Sequence, residues 1–165
     1  MNIRSGRLAD ASKIVEIYND YIRSSHATFE VEPIDPVEME NRMSESADND
    51  YPFIVAEENG RIAGYAYGQR YRSRTAYIHS IEISVYIDRE FVGRGLGTDL
   101  YNDLIPGILA SGFHAVIAGI SLPNNASIRL HEKFGFKKIA HFKEVGRKFD
   151  RWIDVGYWEL INTTH

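Results

Sequence analysis

The sequence predicts a mixed α+β domain, and three local patterns carry that prediction. Apolar residues recur at helical spacing over residues 14–22. Asn59-Gly60 separates two apolar runs, the strongest short hairpin signal. A Tyr-, Ile- and Val-rich run over residues 75–87 leads into alternating glycines and a second amphipathic segment. The chain has 165 residues, 44% of them hydrophobic, enough to bury one sizeable core, so one domain over residues 1–165 is expected.

The elements follow in order. Residues 3–8 read as an opening strand, and Asp10 as the N-cap of a helix carrying Ile14, Val15, Ile17, Tyr18, Tyr21 and Ile22. Residues 24–36 form a loop containing Thr28, Phe29 and Glu30. Asp35, Pro36 and Glu38 supply an N-cap, a first-turn proline and a reciprocal capping partner for a short helix to about Ser46. Residues 53–57 and 61–68 are hairpin strands, and residues 75–87 a third strand. The turn at 93–97 opens a helix carrying Leu96, Leu100, Leu104, Ile105 and Ile108; Pro106 should bend it and Gly112 lies near its end. Residues 114–121 read as a strand. Asn124 or Asn125 caps a helix that stops at Gly135, and residues 136–145 and 148–160 close as an antiparallel pair.

Composition excludes several functions. A net charge of -4 argues against nucleic acid as the main partner, since phosphate binding needs a basic face. The absence of cysteine removes disulfides, a thiolate nucleophile and cysteine metal sites. The histidines have no zinc-binding spacing, so no metal is expected. The first residues lack the apolar core of a signal peptide, and no run approaches membrane-spanning length, so no membrane partner and a cytoplasmic location are expected.

Glycines 93, 95 and 97 alternate at a helix start. Without β-carbons, backbone N–H groups there can curl around an anion, and the helix dipole is positive at that end. A diphosphate fits residues 93–98, with charge from Arg94 and a hydroxyl from Thr98. A P-loop would need a lysine that is missing, and a dinucleotide fingerprint would place the third glycine one residue later. The glycines alone serve equally as a turn needed for chain geometry.

The run Gly93-Arg94-Gly95-Leu96-Gly97 after strand Val85-Tyr86-Ile87 resembles the acetyl-CoA signature of the GNAT N-acetyltransferases, although Arg89 comes one residue early for that pattern. Asn124-Asn125-Ala126-Ser127-Ile128-Arg129-Leu130-His131 is similar to the family's second signature. Thr28-Phe29-Glu30, the stretch from Tyr71 to Tyr77, Glu82 to Tyr86 and Phe149 to Gly156 resemble the phosphinothricin and methionine sulfoximine acetyltransferase branch. The resemblance implies a GNAT acyl-CoA N-acyltransferase fold: a mostly antiparallel twisted sheet of about seven strands with four helices. Two strands splay to form the CoA slot, one of them through a bulge. It also implies acetyl-CoA as co-substrate, no metal, a homodimer, and direct acetylation of the α-amine of phosphinothricin-, methionine sulfoximine- or methionine sulfone-type compounds, a detoxifying activity.

Acetyl transfer needs a deprotonated amine, donors for a developing oxyanion, and a proton for the leaving thiolate. Glu82, the only carboxylate in residues 75–87, is the base candidate: taken alone, a strand glutamate faces solvent, but the resemblance implies the base role, since Glu82 matches the glutamate assigned it in that branch. His131 stands where many members of the family have a tyrosine, and is either an acid or relay, or a packed histidine that only hydrogen-bonds. Backbone groups of Val85, Tyr86 and Ile87 would pair with the pantetheine arm, as would the Asn124 amide, which also caps its helix. Arg72 and Arg74 are candidates for a substrate carboxylate, with Tyr77, Ile78 and His79 beside them. Phe29 and Glu30 would form a lid. Trp152, Asp154, Gly156 and Trp158 alternate on one strand face and read as core or interface packing. Two other readings stay open: acetylation of a different amine, such as a protein N-terminus or polyamine, and a non-catalytic acyl-CoA sensor.

Overall fold

The computed structural model describes residues 1–163. In chain order these form β1 (Asn2–Ser5), α1 (Ala11–Ser24), α2 (Pro36–Asp48), β2 (Phe53–Glu58), β3 (Arg61–Arg70), β4 (Ser80–Ile87), α3 (Leu96–Ala110), β5 (Ala115–Ser121), α4 (Asn125–Lys133), β6 (Lys137–Lys148) and β7 (Arg151–Ile161). The seven strands make one sheet in the order β1-β2-β3-β4-β5-β7-β6, and only the β4–β5 junction is parallel.

Strand alternation divides the core into two layers. Ile81 and Ile83 of β4 pack with Leu96, Leu100, Leu104 and Ile108 of α3 on one face. Tyr86 points the other way and packs with Ile14, Tyr18 and Ile22 of α1 and Met39 and Met43 of α2. The helix stripes legible in the sequence are thus the stripes that cover the sheet.

Several elements depart from expectation for identifiable reasons. The opening strand ends at Ser5, because Leu8–Asp10 is a 3-10 turn. Asp10 makes no side-chain cap for α1; its carboxylate accepts from Arg4 and from the Arg7 amide. Asp35 does cap α2 through the Glu38 amide, but the Glu38 carboxylate turns to Arg42, 2.7 Å away, and does not reach back. Residues 75–77 form another 3-10 turn, so β4 begins only at Ser80. The helix α3 continues through Pro106 to Ala110. The last hairpin turns at Phe149-Asp150, both at positive φ (52° and 55°), so β6 runs to Lys148. The β3–β4 ladder keeps one register from Arg70↔Ile81 to Gly64↔Ile87, with no bulge. On β7, Trp158 is buried in the α3-side core at 1% exposure, whereas Trp152 is 63% exposed.

Candidate active site

The site is built where β4 and β5 part. Their parallel pairing covers Ser80↔Ala115, Ile81↔Val116 and Glu82↔Ile117 and then stops, while β5 stays paired with β7 as far as Ser121↔Val155. A cavity of about 480 Å³ opens on the α3–α4 side of the gap, and one of about 430 Å³ on the α1–α2 side. Ala27, Ser84, Tyr86, Gly119 and Ser121 line both, so the cavities meet between the splayed strands.

The larger cavity ends on the glycine turn. Gly93 and Gly95 have φ of 82° and 86°, a region that favours glycine, and a β-carbon on either would meet nothing within 4 Å. The Thr98 and Asp99 amides donate to the Gly95 carbonyl, whereas those of Gly95, Leu96 and Gly97 have no backbone acceptor among the described residues. Three free amides at a helix start, with no side chain in front, fit a diphosphate. Gly97 has a second role: a β-carbon there would stand 3.0 Å from Leu130, so it sets how closely α3 approaches α4. Thr98 lines the cavity and accepts from Lys133, a cation that no sequence signal singled out. The Arg94 side chain lies apart, over the Phe91 ring and 3.9 Å from Glu58.

Register decides which peptide groups face the gap. The Asp88 amide donates to Ala63, so by antiparallel alternation Tyr86 and Ser84 are bonded to β3, while Val85 and Ile87, beyond the last β4–β5 pair, turn their N–H and C=O groups toward the gap. At Ile87 both groups are taken by the Tyr21 hydroxyl, which donates to its carbonyl at 2.8 Å and accepts from its amide at 3.3 Å. Of Val85, Tyr86 and Ile87, only Val85 therefore offers unpaired backbone to a cofactor arm. Tyr86 contributes its side as a wall.

Asn124 caps α4 by accepting from the Ser127 amide at 3.1 Å, and it also lines the cavity. His131, one helical face further on, is 3% exposed. Its Nδ1 donates to the Ser127 carbonyl at 2.8 Å, so the ring is the Nδ1–H tautomer and Nε2 accepts from the Tyr101 hydroxyl at 2.8 Å. Burial lowers its pKa and keeps it neutral, the Ser127 bond opposing in part. Both nitrogens are engaged, Nδ1 with Ser127 and Nε2 with Tyr101.

The smaller cavity holds Glu82 at the last paired position of β4. Burial raises the pKa of its carboxyl, with a Gln69 hydrogen bond and the charge of Arg72 pulling the other way. A half-buried carboxylate held above its usual range suits a base. Glu30 lies in the same cavity but is bound by Arg42 at 2.7 and 2.9 Å, which holds it below the usual carboxylate range. The Tyr18 hydroxyl gives its proton to Glu30, so Thr28 donates to Tyr18 at 2.8 Å. Glu30 is thus a strut of this wall. Phe29 also lines the cavity and rests on Gly146 of β6, where a β-carbon would come within 2.3 Å of its ring. Tyr67, Gln69 and Tyr157 also line it. They come from β3 and β7, and an aromatic on a strand looks the same in sequence whether it faces core or cavity.

The expected carboxylate-binding stretch is placed differently. Arg72, Arg74, Tyr77, Ile78 and His79 are exposed and line neither cavity. Arg72 comes nearest: its guanidinium lies over the Tyr71 ring, 5.1 Å from the centroid, and its charge acts on both Glu82 and Tyr157. His79 contributes its carbonyl, which accepts from the His114 and Ala115 amides. Among the described residues no cluster of three or more His, Asp or Glu side chains could hold a metal, and no helix is long and apolar enough to cross a membrane.

Comparison with known proteins agrees with this geometry. The model of the acetyltransferase (GNAT) domain matches residues 3–156. A phosphinothricin N-acetyltransferase of Streptomyces coelicolor is 39% identical over 96% of this chain and 95% of its own length. An L-methionine sulfoximine/L-methionine sulfone acetyltransferase of Salmonella typhimurium is 37% identical, covering 100% and 96%. The crystal structure of a GNAT superfamily phosphinothricin acetyltransferase from Sinorhizobium meliloti in complex with acetyl-CoA superimposes with a TM-score of 0.95 at 36% identity, covering 98% of this chain and 88% of that one.

Proposed function

The chain belongs to the GNAT acetyltransferase domain family, and we propose that it transfers acetyl from acetyl-CoA to the α-amine of a small amino-acid-like acceptor of the phosphinothricin, methionine sulfoximine or methionine sulfone type. The observation that carries this reading is the position of Glu82 at the base of the β4–β5 gap, where the two cavities meet. The free amides of Gly95, Leu96 and Gly97 would hold the diphosphate, and Val85 with Asn124 the pantetheine arm. The acceptor would enter from the opposite side. Glu82 takes a proton from its ammonium group, and the neutral amine attacks the thioester directly. Presenting both substrates across one gap supplies much of the acceleration.

The acceptor cavity contains Glu82, Glu30 and one arginine, Arg42, already bound to Glu30. A substrate carboxylate would meet Arg72, whose charge reaches Glu82 and Tyr157, with Arg74 and Tyr77 on the same loop. The reading extends to one N-acetyltransferase domain over residues 1–165, of which 164 and 165 lie outside the described residues. It extends further to a cytoplasmic homodimer with a detoxifying role. Support for the homodimer is the number of exposed apolar side chains on the last hairpin: Ile139, Phe142, Val145, Phe149 and Trp152.

A thiol-release assay with acetyl-CoA and a panel of amines tests the function. Turnover is expected with phosphinothricin, methionine sulfoximine or methionine sulfone. Activity confined to spermidine would favour the polyamine reading. Acetyl-CoA binding with no turnover across the panel would favour the sensor.

A further inference from the structure

We infer that His26 is a second proton-transfer residue of this site, carrying a proton from the reacting nitrogen to the leaving CoA sulfur. The inference rests on the acetyl-transfer reading above and adds to it the step that Glu82 cannot perform.

His26 lies in the loop between α1 and α2 and lines the larger cavity. Its neighbour Ala27 and its hydrogen-bond partner Ser121 both belong to the five residues where the cavities join. The imidazole is therefore at the throat, where thioester and amine must meet.

The hydrogen bonds fix its tautomer. The Ser121 hydroxyl has one proton and donates it to the His26 carbonyl at 2.5 Å. The 2.9 Å contact between Nδ1 and Ser121 Oγ must then be made by an Nδ1–H. Nε2 is left with its lone pair, and it has no hydrogen-bond partner among the described residues. Burial, with the positive charges of Arg151 and Lys148, lowers the pKa of the ring and leaves it neutral and able to accept. His131 shares the Nδ1–H tautomer and the neutral ring, but both its nitrogens are bonded, and the Tyr101 that holds its Nε2 is fully buried.

The steps balance. Glu82 takes the first proton from the ammonium group. The amine then forms its C–N bond to the carbonyl carbon, giving an oxyanion and a positively charged nitrogen. His26 Nε2 takes one proton from that nitrogen. As the carbonyl re-forms and the C–S bond breaks, the imidazolium returns this proton to the sulfur. The products are the amide, neutral CoA thiol and neutral His26, with the remaining proton on Glu82.

The test uses the full-length His26→Ala and His26→Gln variants, after turnover by the natural sequence has been measured. Both are expected to bind acetyl-CoA in calorimetry as the natural sequence does and to lose about 100-fold in kcat. Added imidazole should restore turnover to His26→Ala, and substituted imidazoles should do so in order of basicity. A packing role would give no such order. His26→Gln at full kcat, or loss of acetyl-CoA affinity in step with kcat and no response to imidazole, would overturn the inference. Inactivity of the natural sequence toward every amine would instead sink the acetyl-transfer reading, and His26 with it.

Discussion

The carboxylate of Glu82 lies 3.5 Å from the point that a β-carbon on Gly119 would occupy, across the gap where β4 leaves β5. Tyr157 stands 3.2 Å from the same point. Base, backbone and aromatic wall thus converge at a position that glycine keeps clear. Gly119→Ala should leave the fold intact, with a stability change of about 1 kcal/mol or less, because only the Tyr157 ring must yield. The acceptor KM should rise several-fold while the acetyl-CoA Kd holds; steady-state kinetics and calorimetry read the two separately.

Glu82→Gln removes the base and the buried charge together. Turnover should fall by about 10²- to 10⁴-fold with acetyl-CoA affinity unchanged. Stability should move the other way. Burial raises the Glu82 pKa, so the folded state holds this proton more tightly than the unfolded chain. The stability linked to that proton is complete at low pH and is lost as pH rises through the shifted pKa. The variant should therefore melt above the natural sequence at pH 7–8, and the difference should vanish toward about pH 4. Equal melting temperatures at pH 8 would mean that the carboxylate is not desolvated.

Gly95→Ala and Gly112→Ala form a matched pair. Gly95 opens α3 at φ 86°, Gly112 follows its far end at φ 87°, and neither has a neighbour within 4 Å of an added β-carbon. Each should cost about 1–2 kcal/mol of backbone strain in thermal melts. Only Gly95→Ala should weaken acetyl-CoA binding, by roughly tenfold, since only there do free amides face the cavity. Equal loss of affinity in both would place the diphosphate elsewhere.

Lys148 is 4% exposed, and its Nζ donates to the Ser25 and Thr28 carbonyls at 2.7 and 2.8 Å. It ties the His26- and Phe29-bearing loop to the last hairpin. Lys148→Met leaves both carbonyls without that donor and should cost about 1–3 kcal/mol. The acceptor KM should rise more than the acetyl-CoA Kd, because residues 27–30 line the acceptor cavity. A variant with unchanged acceptor KM would separate the loop from acceptor binding.

Whatever depends on neighbours a few positions apart was legible in the chain. The α1 stripe, the Asn59-Gly60 turn, the Asn124 cap and the glycine start of α3 each follow from one turn of backbone and the side chains beside it. Glu82 stood out as the one carboxylate in an apolar strand, but only the resemblance to the branch, and not the local pattern, turned it from a solvent-facing side chain into a base candidate. Tertiary structure alone decided the rest. It set Val85, and neither Tyr86 nor Ile87, with free backbone toward the gap, because a ladder's hydrogen bonds alternate with a register that two strands fix jointly. It closed both nitrogens of His131 and brought His26 to Ser121, 95 positions away. It also left Arg74 and Tyr77 outside the cavities that their sequence neighbourhood suggested. Such contacts arise where distant segments are packed together, and no local periodicity encodes them.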